Sequence, residues 1–148
     1  MFSISYPIII AIALSGGLAS AQEGLLAKGS AVMTNLSDAN WKHDADDLPG
    51  SESALLRQDD RTGAMELLAR YPGKSAIPSH WHTSNERIIV LEGRMAIAAG
   101  DYVRHLDVGG YAFLPAKVIQ KISCESSTRC TFYVYWDAKL DFHAVPAK

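Results

Sequence analysis

The chain has 148 residues, with 14 Lys and Arg against 16 Asp and Glu and a net charge of −2. One domain is the expectation at this length. Charges of both signs are mixed along the sequence, with no basic block and no charged tail, which argues against nucleic acid as a partner and against a polyelectrolyte function.

Ile8 to Leu14 form an unbroken apolar run, and Gly16, Gly17 and Ala19-Ser20-Ala21 follow it. An apolar stretch ahead of a small-x-small site is the pattern of a secretory signal peptide, here residues 1–21, with cleavage between Ala21 and Gln22. The segment before the run, Met1 to Ser5, lacks the usual Lys or Arg. A buried helix or an uncleaved anchor is the competing reading. The run is short against the roughly 20 residues of a membrane span, so no stable span is expected after cleavage. The predicted location is periplasmic or secreted.

Residues 22–40 are small and polar and read as a tail, with a short edge strand around Ala31–Leu36. Trp41 to Pro49 is an Asp-rich loop or edge segment. Ser53–Leu56 reads as a strand, Gln58–Gly63 as a turn, and Ala64–Tyr71 as a strand bounded by Pro72-Gly73. Arg87–Leu91 and Arg94–Ala99 flank the turn Glu92-Gly93 and read as a hairpin. Val103–Leu106 and Tyr111–Leu114 are further short strands, separated by Asp107–Gly110. Ile119–Cys124 and Cys130–Trp136 read as the last hairpin, before a loop-like tail on which Phe142 and Val145 pack back. Many short strands with Gly-rich turns and no amphipathic helix indicate an all-β sandwich or barrel.

The chain has two cysteines, Cys124 and Cys130. In an exported protein an even pair across a polar loop predicts a disulfide. The competing reading is a zinc pair, although Cys-x5-Cys is an unusual zinc spacing and no second pair exists.

The segment that carries chemistry is His80-Trp81-His82-Thr83-Ser84-Asn85-Glu86. On a strand, His-x-His aims both imidazoles at one face, because side chains alternate with period two. Glu86 then opens the next strand after a turn at Thr83–Asn85. Two imidazoles and one carboxylate match the facial triad that holds a divalent first-row metal with positions left open. Alone, the His pair would read more simply as surface imidazoles, and Glu86 could pair with Arg87 or Arg94. An inward Glu beside two His is better explained by a cation, since a buried unpaired carboxylate is costly.

These residues resemble the first motif of the cupin superfamily: Gly73, six residues, His80-x-His82, three residues, Glu86, six residues, Gly93. The usual spacing from that Gly to the first His has five intervening residues. Gly109, five residues, Pro115 resembles the opening of the second motif. Its later Gly and His positions hold Lys117 and Gln120 here. The pattern before the first motif (Leu55, Asp59, Gly63, Tyr71-Pro72-Gly73) also resembles the cupin half of zinc-binding anti-sigma factors and small exported bacterial cupins.

The resemblance implies a double-sheet jelly-roll barrel over residues 41–148. It implies metal ligands at His80, His82 and Glu86, with the fourth position on Gln120. Strand parity agrees, because Gln120 shares a face with Ile122 and Cys124. The metal would be Fe, Mn, Zn, Ni or Cu. An amide oxygen in place of His should weaken the site and keep it open to exchange. The expected function is a metal-dependent, dioxygenase-type enzyme acting on a small polar molecule. A non-catalytic metal- or ligand-binding or sensing cupin is the alternative. Cupins often pair through their outer sheets, so a homodimer is an expectation of the same kind. His105, Tyr102 and Tyr111 could supply acid–base groups but read more simply as strand residues. Asn35-Leu36-Ser37 is a weak glycosylation pattern, and the methionines are too scattered for a copper site.

Overall fold

The computed structural model describes residues 31–43 and 48–146. The predicted signal peptide and the tail as far as residue 30 lie outside the described residues. The described residues form strands β1 (Lys42–His43), β2 (Glu52–Gln58), β3 (Met65–Tyr71), β4 (Ala76–Trp81), β5 (Glu86–Glu92), β6 (Met95–Ala99), β7 (Tyr102–Leu106), β8 (Tyr111–Leu114), β9 (Gln120–Cys124), β10 (Cys130–Trp136) and β11 (His143–Ala144). One sheet has the order β1-β2-β3-β10-β5-β8 and the other β11-β4-β9-β6-β7. Every pair is antiparallel. Among the described residues no helix is long and apolar enough to cross a membrane.

The all-β, double-sheet expectation is borne out, and most strands fall where alternation places them. Alternation also sets the core. On β5, Ile88 and Val90 are buried; on β10, Phe132 and Val134; on β9, Ile122 and Cys124. These inward faces meet between the sheets.

Pairing differs from the sequence reading at two turns. Arg87–Leu91 and Arg94–Ala99 do not form a hairpin: β5 pairs with β10 and β8, while β6 pairs with β7 and β9. Ile119–Cys124 and Cys130–Trp136 likewise part company, β9 into the second sheet and β10 into the first. In both places the chain crosses from one sheet to the other. Alternation fixes which face of a strand is apolar, but not which strand lies beside it. Smaller differences concern ends. Ala31–Leu36 is not a strand, Ser53–Leu56 is part of the longer β2, and Ile119 is exposed ahead of β9.

The crossing segments are tied together at one end of the sandwich. The Cys124–Cys130 disulfide links β9 to β10 and so bridges the two sheets, with Cα atoms 5.6 Å apart. This removes the zinc reading, since no cysteine among the described residues is free. Thiol titration of unreduced protein is expected to find none. Replacing both cysteines by Ala is expected to lower stability by about 2 kcal/mol, the entropy of closing a short loop, measurable by urea unfolding.

The glycines of the sequence motif pack against this loop. A Cβ at Gly73 would lie 2.4 Å from the carbonyl oxygens of Ser127 and Thr128. At Gly93, where φ is +78°, it would lie 2.9 Å from the Cys130 sulfur. Gly73→Ala must therefore move backbone, and a loss of about 1–3 kcal/mol is expected in the same urea assay.

Candidate functional site

The His-x-His segment owes its orientation to Pro78. Ile77 pairs with Ile122, but His80, three residues on, pairs with Gln120, only two positions along β9. β4 thus carries one extra residue. Pro78 has no N–H to give the ladder and sits where such a bulge is tolerated. The bulge turns both Ile77 and His80 inward, although their spacing is odd. It also matches the one-residue excess between Gly73 and His80. β4 ends at Trp81, so His82 lies just past the strand but keeps its parity. His80 is 2 % exposed, His82 6 %, Glu86 3 % and Gln120 2 %, so all four side chains are internal.

Hydrogen bonds fix the chemical state of the imidazoles. His80 Nδ1 donates to the Pro78 carbonyl at 2.8 Å, and His82 Nδ1 donates to the Asp141 carbonyl. The Gln120 amide nitrogen lies 3.2 Å from His80 Nε2 and also donates to the Glu86 carboxylate. An amide nitrogen only donates, so His80 Nε2 accepts and carries no proton. Such a neutral imidazole, held at Nδ1 by a carbonyl, is the form that ligates metals through Nε2. His82 Nε2 lies 3.6 Å from Glu86 Oε2, within ion-pair range. Burial holds the His82 pKa below its ordinary value, outweighing its hydrogen bond to the Asp141 backbone. That contact is therefore read as one between a neutral ring and a carboxyl group rather than as an ion pair.

Glu86 is the electrostatic anomaly. Burial pushes its carboxyl up from 4.5 to about 7, and the Gln120 hydrogen bond offsets this only in part. The surface alternatives are not realised, since Arg87 faces Asp137 at 3.8 Å and Arg94 faces Asp107 and Glu125. Among the described residues no group of three or more His, Cys, Asp or Glu is placed to hold a metal ion. In this cluster the Gln120 amide lies between His80 and Glu86. The donor set nonetheless suits a divalent cation: two Nε2 acceptors, one buried carboxyl short of positive charge, and an amide that presents its oxygen when turned over.

The C-terminal segment completes the site, and it is the part that sequence reasoning largely missed. β11 pairs with β4, His143 opposite Trp81 and Ala144 opposite His80. The Phe142 ring stacks on His80 at 4.5 Å, and His143 stacks on Trp81 at 3.9 Å. Asp141 accepts from the Thr83 N–H and hydroxyl, and Asp137 accepts from the Asn85 N–H and side chain. These bonds pin the turn between His82 and Glu86. Burial acts to raise the Asp141 pKa, but the bonds from Thr83 and His143 prevail and hold it at about 2. No local pattern marks Asp141 as a site residue: apart from His143, two residues on, its partners Thr83 and His82 lie 58 and 59 residues away. Packing-back of Phe142 and Val145 was expected, and Val145 N–H does donate to the Ser79 carbonyl.

A family model for the ChrR cupin-like domain matches residues 29–140. The chain belongs to this cupin family. A search of curated protein sequences finds no match. Among solved structures, the polyketide cyclase RemF from Streptomyces resistomycificus is similar over 80 % of this chain and 88 % of its own, with TM-score 0.65 and 16 % identity. KdgF from Halomonas sp. is similar over 74 % and 94 %, with TM-score 0.60 and 14 % identity. A chain from the crystal structures of the DMSP lyases RdDddP and RnDddQII gives TM-score 0.60 at 15 % identity; this cupin covers 74 % of itself and 63 % of that longer chain. At these identities the likeness establishes the fold alone.

Two positions of the second cupin motif acquire a physical account. Lys117, at the motif's Gly position, has φ +66° and donates its N–H to the His82 carbonyl at 2.8 Å. A left-handed residue is strained unless it is Gly. Lys117→Gly is expected to raise stability by up to about 1 kcal/mol, the relieved strain less the added freedom of the unfolded chain. Gln120 occupies the His position and faces inward as parity predicts. The other groups considered for acid–base work lie elsewhere. Tyr102 and Tyr111 are 77 % and 56 % exposed, and His105 pairs with Glu125 at 2.8 Å on the surface.

Proposed function

We propose that this cupin is an exported enzyme that holds one divalent metal through His80, His82 and Glu86, with Gln120 as a fourth, weaker ligand. The observation that carries the reading is the convergence of two inward Nε2 atoms and a carboxyl of raised pKa at the polar end of a cavity of about 540 Å³. A buried carboxyl with so little compensation is a cost that a cation would remove. Such a metal would supply a Lewis acid and a template for an oxygen-bearing substrate.

The chain's own residues do the rest. The Pro78 and Asp141 carbonyls hold the imidazole planes. Asp137 and Asp141 fix the turn that brings Glu86 opposite them. Phe142 covers one face of His80, and the apolar walls keep bulk water from the reacting groups. Dioxygenase-type chemistry is the leading assignment and rests on fold analogy plus the triad. Export is supported by the Cys124–Cys130 disulfide, which persists in oxidising compartments. Intact mass of protein recovered from the export compartment tests it, with cleavage after Ala21 expected.

Elemental analysis of protein purified without chelators or affinity metals tests the metal. Near-stoichiometric iron, manganese, nickel or copper supports the redox reading and calls for a dioxygen-uptake screen. Stoichiometric zinc favours the second reading, a binding or sensing cupin without catalysis, which the match to the ChrR cupin-like domain keeps in view. No metal after anaerobic reconstitution would overturn the metal-dependent enzyme and leave only binding of an organic ligand.

A further inference from the structure

The cavity's walls say what kind of molecule belongs in it. Among its lining residues, His80, His82 and Glu86 lie together at the Trp136 end, with Glu86 opposite Trp136 in the sheet and the His82 ring 5.8 Å from the Trp136 ring. From there β10 and β3 run side by side with their inward residues in register: Trp136 opposite Met65, Val134 opposite Leu67, Phe132 opposite Ala69. At ~3.4 Å per residue, the wall from Trp136 to Phe132 extends about 14 Å. Across it stand Ile77 and Ile122 from the other sheet, and Leu140 and Phe142 line the cavity from the C-terminal segment. Ser53 and Tyr71, each with one hydroxyl, are the exceptions on this otherwise apolar lining. A small, wholly polar substrate would fill only the ligating end and leave polar groups unpaired against the apolar walls.

We propose that the cavity takes a small organic molecule with an apolar body and a single oxygen-bearing, chelating end, seated head-first on His80, His82 and Glu86. The head-group half of this rests on the metal reading above; the apolar body rests on the cavity alone. This narrows the small polar substrate expected from sequence to an amphipathic one. Binding then grows with the apolar length of the ligand until the wall is filled. Each buried methylene is worth about a fourfold gain in affinity.

The test is calorimetric titration of n-alkyl hydroxamates, from acetohydroxamate to octanohydroxamate, into protein loaded with one equivalent of Zn²⁺. Alkanols from butanol to octanol are titrated in parallel into metal-free protein. The expected result is an affinity rising about fourfold per methylene in the hydroxamate series. Leu67→Gln should sharply reduce the ratio of octano- to acetohydroxamate affinity. Should that variant fail to fold, Ala69→Leu, which fills the far end, should shorten the best-bound chain. A flat hydroxamate series with Zn²⁺ bound overturns the apolar-body inference and leaves the metal reading standing. Failure of Zn²⁺ itself to bind defeats the metal reading, and the alkanols then decide: affinity rising with length supports the apolar site, and no binding overturns it.

Discussion

His82→Ala is expected to abolish stoichiometric divalent-metal binding, and Gln120→His to tighten it. His82 supplies one of two Nε2 atoms, and its Nδ1 is held by the Asp141 carbonyl. Removing the ring would delete one of the proposed ligands and strand that carbonyl. Loss of a mere supporting partner of a metal ligand costs about 10–100-fold in affinity, so loss of the ligand should exceed about 100-fold. Gln120 presents a neutral amide where an imidazole would bind borderline metals better, so the His variant should gain roughly tenfold or more. Competition titration against a chromophoric chelator measures both. Unchanged affinity in Gln120→His would remove Gln120 from the ligand set while leaving the triad intact.

Metal-free protein should lose stability as pH rises from about 4.5 to about 7, and Glu86→Gln should remove that loss. The sign follows from the Glu86 carboxyl, which burial raises from 4.5 to about 7 in the folded state. Between those values the folded protein keeps a proton that the unfolded chain has released. The contribution is full below the unfolded value and is lost as pH climbs through the folded one. The gap corresponds to about 3 kcal/mol, at ~1.4 kcal/mol per pH unit. Thermal unfolding of chelator-treated wild type and Glu86→Gln, compared across this range, isolates the group from other titrations. A bound divalent cation would reverse the preference and stabilise the carboxylate instead. A wild-type curve parallel to that of Glu86→Gln would mean that Glu86 stays ionised in the metal-free fold.

Much of the site was legible because it is short-range. The His80-x-His82 spacing, the turn before Glu86 and the inward parity of Gln120 depend on chain geometry over a few residues. The strands were legible for the same reason. The bulge at Pro78 was present only as an unexplained extra residue in a motif. Asp141, which orients His82 and pins Thr83, left no local trace, because its role arises from β11 pairing with β4.

The sequence by itself determined an all-β chain, the apolar face of most of its strands, the cysteine pair, and a His/His/Glu cluster close enough to share one site. Only the tertiary structure decided which strands are neighbours, and so turned two expected hairpins into crossings between sheets. It also decided that the cavity is largely apolar away from its His/His/Glu end, since β3 and β10 build that wall from residues 63 to 71 positions apart. The physical reason is one of range. Backbone alternation and turn chemistry act between residues adjacent in the chain, whereas sheet pairing, cavity shape and the pKa of Glu86 depend on which distant segments exclude water together.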